Sequence, residues 1–142
     1  MLAAVGRVVT VRIGLVAAEY NASVTEPMRE RARETATERG AEITTELTVP
    51  GSYDAPLAAD RLARRDAVDA VAVVGAIVTG DTDHDQVIGT AVASKLADVS
   101  VSRDTPVTFG VSGPGMSGAE ARERVDKGAE AVNAAVEMAQ LP

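Results

Sequence analysis

The sequence of 142 residues contains no cysteine and no tryptophan, and it has a single histidine. Without cysteine, a disulfide, a thiolate metal site and a thiol nucleophile are all excluded. A lone histidine likewise excludes a metal centre built from several imidazoles, so we expect no metal. Aromatic residues are scarce, with one Phe and two Tyr. The core must therefore be aliphatic, and an aromatic ring at a loop tip is expected to do more than pack.

No segment is apolar enough to predict a membrane span. The longest uncharged apolar run, Ala70 to Val78, is far shorter than the ~20 residues that cross a bilayer. The stretch from Met1 to Val11 is apolar but carries Arg7 in its middle, whereas a signal peptide places its positive charge first. We therefore expect a cytoplasmic protein that has no membrane partner.

The charges are unbalanced toward the acidic side, with a net charge of −7 at pH 7. This balance argues against a nucleic-acid partner, because phosphate backbones select basic surfaces. The only lysines are Lys95 and Lys127, so arginine supplies the remaining cations. An acidic surface poor in lysine suits a salt-rich cytoplasm, since net negative charge maintains solubility there. A GC-rich genome also replaces lysine with arginine, so composition leaves both explanations open.

Hydrophobic periodicity alternates between strand and helix along the chain. Strands are predicted at residues 12–18, 43–48, 69–75 and 105–112. Helices are predicted at residues 23–39, 54–65, 84–101 and from 117 onward. This order predicts one domain over residues 1–142, with a parallel sheet covered by helices on both faces. Residues 1–11 lie outside the pattern and either fray or add a strand to a neighbouring subunit.

Local signals mark several helix ends. Ser23 with Glu26, and Ser117 with Glu120, have the spacing of a capping box at a helix start. Gly40 suits the position just after a helix, where the backbone often turns left-handed. These signals support the predicted helix boundaries.

Ligands of such folds bind beyond the carboxyl ends of the strands, so the residues that follow each strand carry the functional prediction. The aromatic residues are Tyr20, Tyr53 and Phe109, and all are predicted to lie at this edge together with His84. Chance placement of rare residues on one edge is the alternative. The tyrosine rings either stack on a planar ligand or pack over a loop.

The tripeptide Gly80, Asp81 and Thr82 leads into a predicted helix and has the character of an anion site. Glycine lets the backbone approach closely, the free N–H groups of a helix start point at a ligand, and threonine can donate a hydroxyl. Turn chemistry alone also explains this tripeptide as an ordinary turn and cap. His84 either exchanges protons near neutral pH or is a solvent-exposed residue of the first helical turn. Asp54 either accepts hydrogen bonds from sugar hydroxyls or caps a helix.

Five segments of the sequence, taken together, resemble successive blocks of the lumazine synthase family. They are VAAEYNASVT, VPGSYDAPLAADRL, GAIVTGDTDHD, PVTFGVSGPGM and DKGAEAVNAAVEMA. The resemblance runs from about Arg12 to Ala139 and is strongest to archaeal members. It implies a flavodoxin-like three-layer α/β/α sandwich with a four-stranded parallel sheet. It also implies pentamers, with an active site between adjacent subunits that takes small-molecule substrates and needs no cofactor.

The resemblance also implies roles for individual residues. His84 would be the proton carrier. The pyrimidine and its ribityl chain would be held by Tyr20, Asn21, Ser52, Asp54, Ile77 and Val78, and Phe109 of a neighbouring subunit would close the pocket. The phosphate would be bound by Gly80, Asp81, Thr82, Arg124 and Lys127.

The sequence departs from the family pattern at several of these blocks. Thr79 stands where the family usually has Arg, and residues 85–87 replace a stretch rich in aromatics. The segment between Arg124 and Lys127 is shorter than in many bacterial members, which puts the position of Lys127 in doubt. Arg122 competes with Arg124 for the phosphate-binding role, and Arg124 is preferred because it directly precedes the VDKG string.

The resemblance implies a transferase of riboflavin biosynthesis. It would condense 5-amino-6-(D-ribitylamino)uracil with 3,4-dihydroxy-2-butanone 4-phosphate to 6,7-dimethyl-8-ribityllumazine and release phosphate. One alternative is an archaeal-type riboflavin synthase, against which the phosphate signal at residues 80–82 argues. Another is a flavin- or pyrimidine-binding shell protein without turnover, against which His84 and Arg124 argue. A plain flavodoxin-like phosphate-binding module would not need aromatic residues along one edge.

Overall fold

The computed structural model describes residues 9–79 and 83–142, and its strands and helices alternate as predicted. The strands are β1 (Arg12–Ala18), β2 (Glu42–Val49), β3 (Ala70–Val78) and β4 (Val107–Met116). The helices are α1 (Ala22–Glu38), α2 (Ala55–Ala63), α3 (His84–Arg103), α4 (Gly118–Arg122) and α5 (Lys127–Ala139). A short 3₁₀ turn, Ser52–Asp54, precedes α2. None of the helices in these ranges is long and apolar enough to cross a membrane.

The strands form a parallel, four-stranded sheet in the order β2-β1-β3-β4. Helices α1, α4 and α5 cover one face, where Leu15 and Val74 belong to the core. Helices α2 and α3 cover the other face, where Val16 and Val73 belong to a second core cluster. Because both faces of β3 are covered, its residues are almost all buried. The three-layer α/β/α prediction is confirmed.

The structure corrects several predicted boundaries. Strands β3 and β4 continue past residues 75 and 112, because the Thr79 N–H donates to the Met116 carbonyl (2.7 Å) and extends their pairing beyond a register shift. The single final helix is wrong, since α4 ends at Arg122 and α5 begins at Lys127. Between them the N–H of Arg124 donates to Ala121 and that of Lys127 to Arg124, a tighter three-residue spacing that interrupts the α-helix.

The capping predictions had different outcomes. The Ser117–Glu120 capping box is confirmed, and Gly40 follows α1 with a left-handed φ of 68°. The Ser23–Glu26 box is wrong, because α1 begins at Ala22, which leaves Ser23 inside the first turn. The cap position is held by Asn21, whose backbone is left-handed (φ 64°) and whose side chain makes no cap hydrogen bond.

The amino-terminal arm predicted over residues 1–11 falls largely outside the described residues, which begin at residue 9. Val9 is exposed, and Val11 is buried in the core just before β1. The choice between a frayed end and a strand added to a neighbour therefore stays a prediction.

Candidate active site

A pocket of about 310 Å³ opens at the carboxyl edge of the sheet. Its lining residues come from segments that follow β1 and β2, from the end of β3, and from the first turns of α3. They are residues 20–21, 51–54 and 76–78 together with His84, Asp85 and Ile88. The pocket thus lies where the strand order reverses between β1 and β3, the usual ligand position in an open parallel sheet.

Asn21 and Tyr20 form the wall that follows β1. The Asn21 side-chain amide donates to the carbonyl of Ala76 at the end of β3 (3.0 Å), so this side chain ties the start of α1 to β3 and makes no cap hydrogen bond. The Tyr20 N–H donates to the Pro50 carbonyl (2.9 Å), so the chain carrying this ring is tied to the segment after β2. The ring itself is 66% exposed at the pocket mouth.

Gly51 allows the Tyr20 ring to pack closely on the backbone. A Cβ atom at residue 51 would lie 2.6 Å from Cδ2 of Tyr20, so any side chain there would displace the ring. The Gly51 N–H donates to Oδ2 of Asp54 (3.0 Å), and the Asp54 N–H donates to the Gly51 carbonyl (3.0 Å). These paired bonds fix the 3₁₀ turn and leave the other carboxylate oxygen of Asp54 for a ligand.

Ser52 carries a hydroxyl whose chemistry points to a ligand. Its Oγ is buried and has no hydrogen-bond partner among the described residues. It packs against Gly75, where a Cβ atom would approach Oγ to 2.5 Å. A buried hydroxyl without a partner costs about 1–3 kcal/mol, so a polar ligand atom that pairs with it would gain binding energy.

The end of β3 and the start of α3 complete the pocket. Ile77 and Val78 are near or at the end of β3 and line the pocket. His84 is exposed in the first turn of α3, whereas Asp85 is buried and its Oδ2 accepts the Gly115 N–H (3.3 Å). The exposed imidazole and the buried carboxylate therefore lie at the same end of α3, next to the pocket.

Phe109 does not lie at this edge in the same chain, and that part of the prediction is wrong. It is paired with Val73 in the middle of the sheet, because β4 runs on to Met116. Its side chain is 40% exposed on the open edge strand, away from the pocket. The hypothesis that it closes a neighbouring subunit's pocket is untested and is compatible with this exposure.

Of the predicted phosphate-binding residues, the two that the structure describes, Arg124 and Lys127, do not line the pocket of their own chain. Arg124 is exposed beyond α4 and Lys127 begins α5, and neither lines the pocket. Arg124 lies near Glu120, whose pKa is lowered mainly by the hydrogen bond from the Ser117 backbone and less by the Arg124 charge. Gly80, Asp81 and Thr82 lie outside the described residues.

The charge of the pocket follows from these positions. Its described lining includes the carboxylates of Asp54 and Asp85 but no lysine or arginine. A phosphate bound there must therefore receive its positive partners from outside the lining of one chain.

Sequence reasoning missed Gly51 and Asp85 as residues of the site. The Pro50-Gly51-Ser52 string signalled a turn, but the contact of Gly51 with Tyr20 depends on the pairing of β1 with β2. Asp85 was noted only as a departure from the family pattern. Its contact with Gly115 joins residues far apart in the chain, so no local signal reveals it.

Fold and pocket together define a doubly wound α/β protein with a site suited to a small ligand that has a planar part and polar edges. Exposed tyrosine rings, a hydroxyl without a partner among the described residues, and a carboxylate meet in a small concave site. Arrangements of this kind fix a ring by stacking and orient it by a few hydrogen bonds.

Comparisons with known proteins specify this class further. The 6,7-dimethyl-8-ribityllumazine synthase family model matches residues 10–142. Enzymes of that name from the halophilic archaea Halorubrum lacusprofundi and Halobacterium salinarum are 73% and 70% identical over 129 residues. These alignments cover 91% of this chain and 96% and 97% of the relatives. The chain therefore belongs to the 6,7-dimethyl-8-ribityllumazine synthase family.

More distant relatives agree with this assignment. The enzyme of the same name from Methanocaldococcus jannaschii is 44% identical over 131 residues, which cover 92% of this chain and 93% of the relative. The predicted similarity to archaeal members is confirmed. A designed Rossmann-fold protein is 18% identical over 86% of this chain and 99% of its own, at a TM-score of 0.39, which is too low to support an inference.

Proposed function

We propose that this chain condenses 5-amino-6-(D-ribitylamino)uracil with 3,4-dihydroxy-2-butanone 4-phosphate to 6,7-dimethyl-8-ribityllumazine, releasing phosphate. Membership of the synthase family over nearly the whole chain is the observation that carries this proposal. The pocket supports it, because it offers stacking surfaces and polar groups suited to a pyrimidine that bears a ribityl chain. The reaction is a step of riboflavin biosynthesis.

The pyrimidine would occupy the described pocket. Tyr20 offers its exposed ring for stacking, and the backbone of Ile77 and Val78 offers hydrogen bonds to the ring edge. The Ser52 hydroxyl would find its missing partner on this substrate, and the free oxygen of Asp54 would accept from ribityl hydroxyls. Asn21 would act by holding this wall to β3 through its bond to Ala76.

The chemistry requires proton transfers and phosphate departure. The primary amine of the pyrimidine attacks the ketone, and an imine forms with loss of water. Loss of a proton and of phosphate then leaves an enol, which tautomerises to a carbonyl. The ribityl-bearing nitrogen attacks this carbonyl, and loss of a second water closes the second ring. His84 would move protons in these steps, a role typically worth roughly 10²–10⁴-fold. Holding two substrates in reacting geometry lowers the activation free energy by about 7 kcal/mol or more in good cases. No residue of the chain needs to form a covalent bond to substrate.

The phosphate would be held by Gly80, Asp81 and Thr82, with Arg124 and Lys127. Because the described pocket lining has no cation, we infer that the arginine and lysine come from an adjacent subunit. The half-exposed Phe109 on the edge strand would reach the same neighbouring pocket. We therefore propose a homopentamer, or a multiple of it, with active sites shared between adjacent subunits, formed by one domain per chain and working in the cytoplasm.

The alternatives receive less support. An archaeal-type riboflavin synthase would act on two lumazine molecules and would not need a phosphate site. The curated relatives named here are lumazine synthases, so that alternative is not favoured. A non-catalytic shell protein would bind the pyrimidine without forming product.

A direct assay tests the proposal. The purified protein is mixed with both substrates in low and in molar KCl, and lumazine fluorescence is followed. We expect product well above the uncatalysed rate, with higher activity in molar KCl if the acidic surface is adapted to salt. Absence of product in both buffers, while sedimentation shows an intact oligomer, would refute the proposed reaction; feeding lumazine itself then distinguishes the riboflavin synthase alternative. A monomer in sedimentation would contradict the shared site.

A further inference from the structure

Asp85 is a buried carboxylate at the pocket that the proposed reaction does not use. It lies in the first turn of α3, is 7% exposed, and follows directly on His84. Consecutive residues of a helix point in different directions, so Asp85 does not act on the His84 ring from the same face. Its Oδ2 instead accepts the N–H of Gly115 (3.3 Å), which lies near the end of β4.

The end of β4, residues Gly113–Met116, is here called the β4 tail. On one side it is held by β3, because the Thr79 N–H donates to the Met116 carbonyl (2.7 Å). Gly113 has a φ of 93° and approaches the Ile77 carbonyl so closely that a Cβ atom would collide with it. The tail is therefore fixed to the strand end whose residues Ile77 and Val78 line the pocket.

On its other side the β4 tail is held by the first turns of α3. The Pro114 ring packs directly on Gly89, where a Cβ atom would lie 2.6 Å from Cδ of the proline. One turn earlier, Asp85 accepts the Gly115 N–H. A close apolar contact and a charge-assisted hydrogen bond thus join helix and tail side by side.

The tail consequently connects two walls of one pocket. The β3 wall contributes Ile77 and Val78, and the α3 wall contributes His84 and Ile88. If the joint between α3 and the tail loosens, the α3 wall can shift while the β3 wall stays in the sheet. A displacement of about 1 Å between reacting groups can lower a rate by roughly 10²-fold.

We propose that Asp85 is a positioning residue of this reaction: by accepting the Gly115 N–H it clamps the β4 tail to α3 and holds His84 at a fixed distance from the β3 wall. This inference rests on the proposed function. The role requires a hydrogen-bond acceptor and not a negative charge, because the carbonyl oxygen of asparagine can accept the same N–H.

Kinetics of three variants test the proposal. Asp85→Ala removes the acceptor, and we expect kcat to fall about 10–100-fold while KM for the pyrimidine changes little, since Tyr20 and Ser52 lie on other walls. Asp85→Asn keeps an acceptor and should retain most of kcat. Gly89→Ala pushes the Pro114 ring away and should resemble Asp85→Ala. Asp98→Asn, an exposed change on the same helix, is the matched control and should behave as wild type.

Two results would overturn the proposal. Equal loss in Asp85→Asn and Asp85→Ala would show that the charge matters and not the hydrogen bond. Strictly additive losses in the Asp85→Ala/Gly89→Ala double variant would show that the two residues do not act through a common joint, since coupled sites give non-additive effects. Sedimentation and thermal unfolding of each variant exclude loss of fold as the cause.

Hydrogen exchange separates this inference from the proposed function. In Asp85→Ala the Gly115 amide should exchange faster than in wild type and in Asp98→Asn, whatever reaction the protein catalyses. Unchanged exchange would refute the joint even if the wild-type enzyme makes lumazine. Faster exchange in Asp85→Ala, together with a wild-type protein that makes no lumazine, would refute the proposed reaction and keep the contact between α3 and the β4 tail.

Discussion

The two ends of the sheet differ in whether their polar side chains are paired. At the amino end, Arg12 binds both carboxylate oxygens of Asp69 (3.0 and 3.1 Å), which fastens the start of β1 to the start of β3. Arg103 likewise binds both oxygens of Asp60 (2.7 and 3.2 Å) and joins the end of α3 to α2. At the carboxyl end, the Ser52 hydroxyl is buried without a described partner, and the tyrosine rings are exposed.

This difference distinguishes polar groups that stabilise the fold from polar groups that are available to a ligand. Charged side chains that are paired within the chain hold elements together, and this pairing lowers the pKa values of the carboxylates involved. The hydrogen bond from Arg12 lowers the pKa of Asp69, and that from Arg103 lowers the pKa of Asp60. A group left without a partner costs stability unless a ligand provides one. We therefore expect changes at the carboxyl end to affect activity and changes at the amino end to affect stability.

The largest expected effect tests whether Arg124 binds the phosphate in the proposed site, which includes a second subunit at the carboxyl end of the sheet. Arg124→Ala should raise KM for the sugar phosphate roughly 10–100-fold, because a charge-assisted hydrogen bond contributes about 1.5–3 kcal/mol. Steady-state kinetics with each substrate varied in turn measure it. KM for the pyrimidine should not change. Arg122→Ala is the matched control, and a larger effect there would transfer the role to Arg122.

His84→Ala tests the proton carrier of the carboxyl end. We expect kcat to fall roughly 10–100-fold, at or just below the usual range of acid–base effects, because the pyrimidine amine is already nucleophilic. Steady-state kinetics at several pH values compare the variant with wild type. An unchanged pH–rate profile would remove His84 from the mechanism.

Ser52→Ala directly tests the unpaired hydroxyl. Losing a neutral hydrogen bond of about 0.5–1.5 kcal/mol should raise KM for the pyrimidine roughly 2–10-fold. The melting temperature of the free protein should be unchanged or higher, because the substitution removes a buried polar group that lacks a described partner. Ser112→Ala is the control, since that hydroxyl is also buried without a described partner but does not line the pocket. A KM increase in both variants would contradict the assignment.

Asp69→Asn should have the smallest effect on activity and tests the amino end. Because the pKa of Asp69 is lowered in the folded state, its contribution to stability is present above its ordinary pKa and is lost as the pH falls through the folded value. At pH 7 we expect the melting temperature to fall by roughly 1–4 °C with kcat unchanged. The difference from wild type should fade below about pH 4. A change in kcat would break the division between the two ends.

Much of the fold was predictable because its signals are local. The run from Ala70 to Val78 is apolar at every position, which specifies a strand buried on both faces. The Ser117–Glu120 box formed as predicted, since both partners lie within one helical turn. The Ser23–Glu26 box failed, because α1 begins at Ala22 and Asn21 holds the cap position, while the Asn21 side chain binds Ala76, a partner distant in the chain.

The site was predictable in part for the same reason. Tyr20, Ser52 and Asp54 follow strand ends, so the parallel order alone brings them to one edge. Phe109 was misplaced because the sequence does not mark how far β4 continues past it, which depends on pairing with β3. The Asp85–Gly115 contact could not be predicted from the sequence, because it joins two elements that only packing brings together.

By itself, then, the sequence determined the alternation of elements, the aliphatic core, the edge at which a ligand binds and, through its resemblance, the family. These properties follow from periodicity and from residues close in the chain. Tertiary structure alone decided that Asn21 binds β3, that the Ser52 hydroxyl is buried without a partner among the described residues, that Asp85 accepts the Gly115 N–H, and that Phe109 and Arg124 stay outside the pocket of their own chain. Each depends on contacts between distant segments, whose geometry is fixed only when the strands pair and the helices pack.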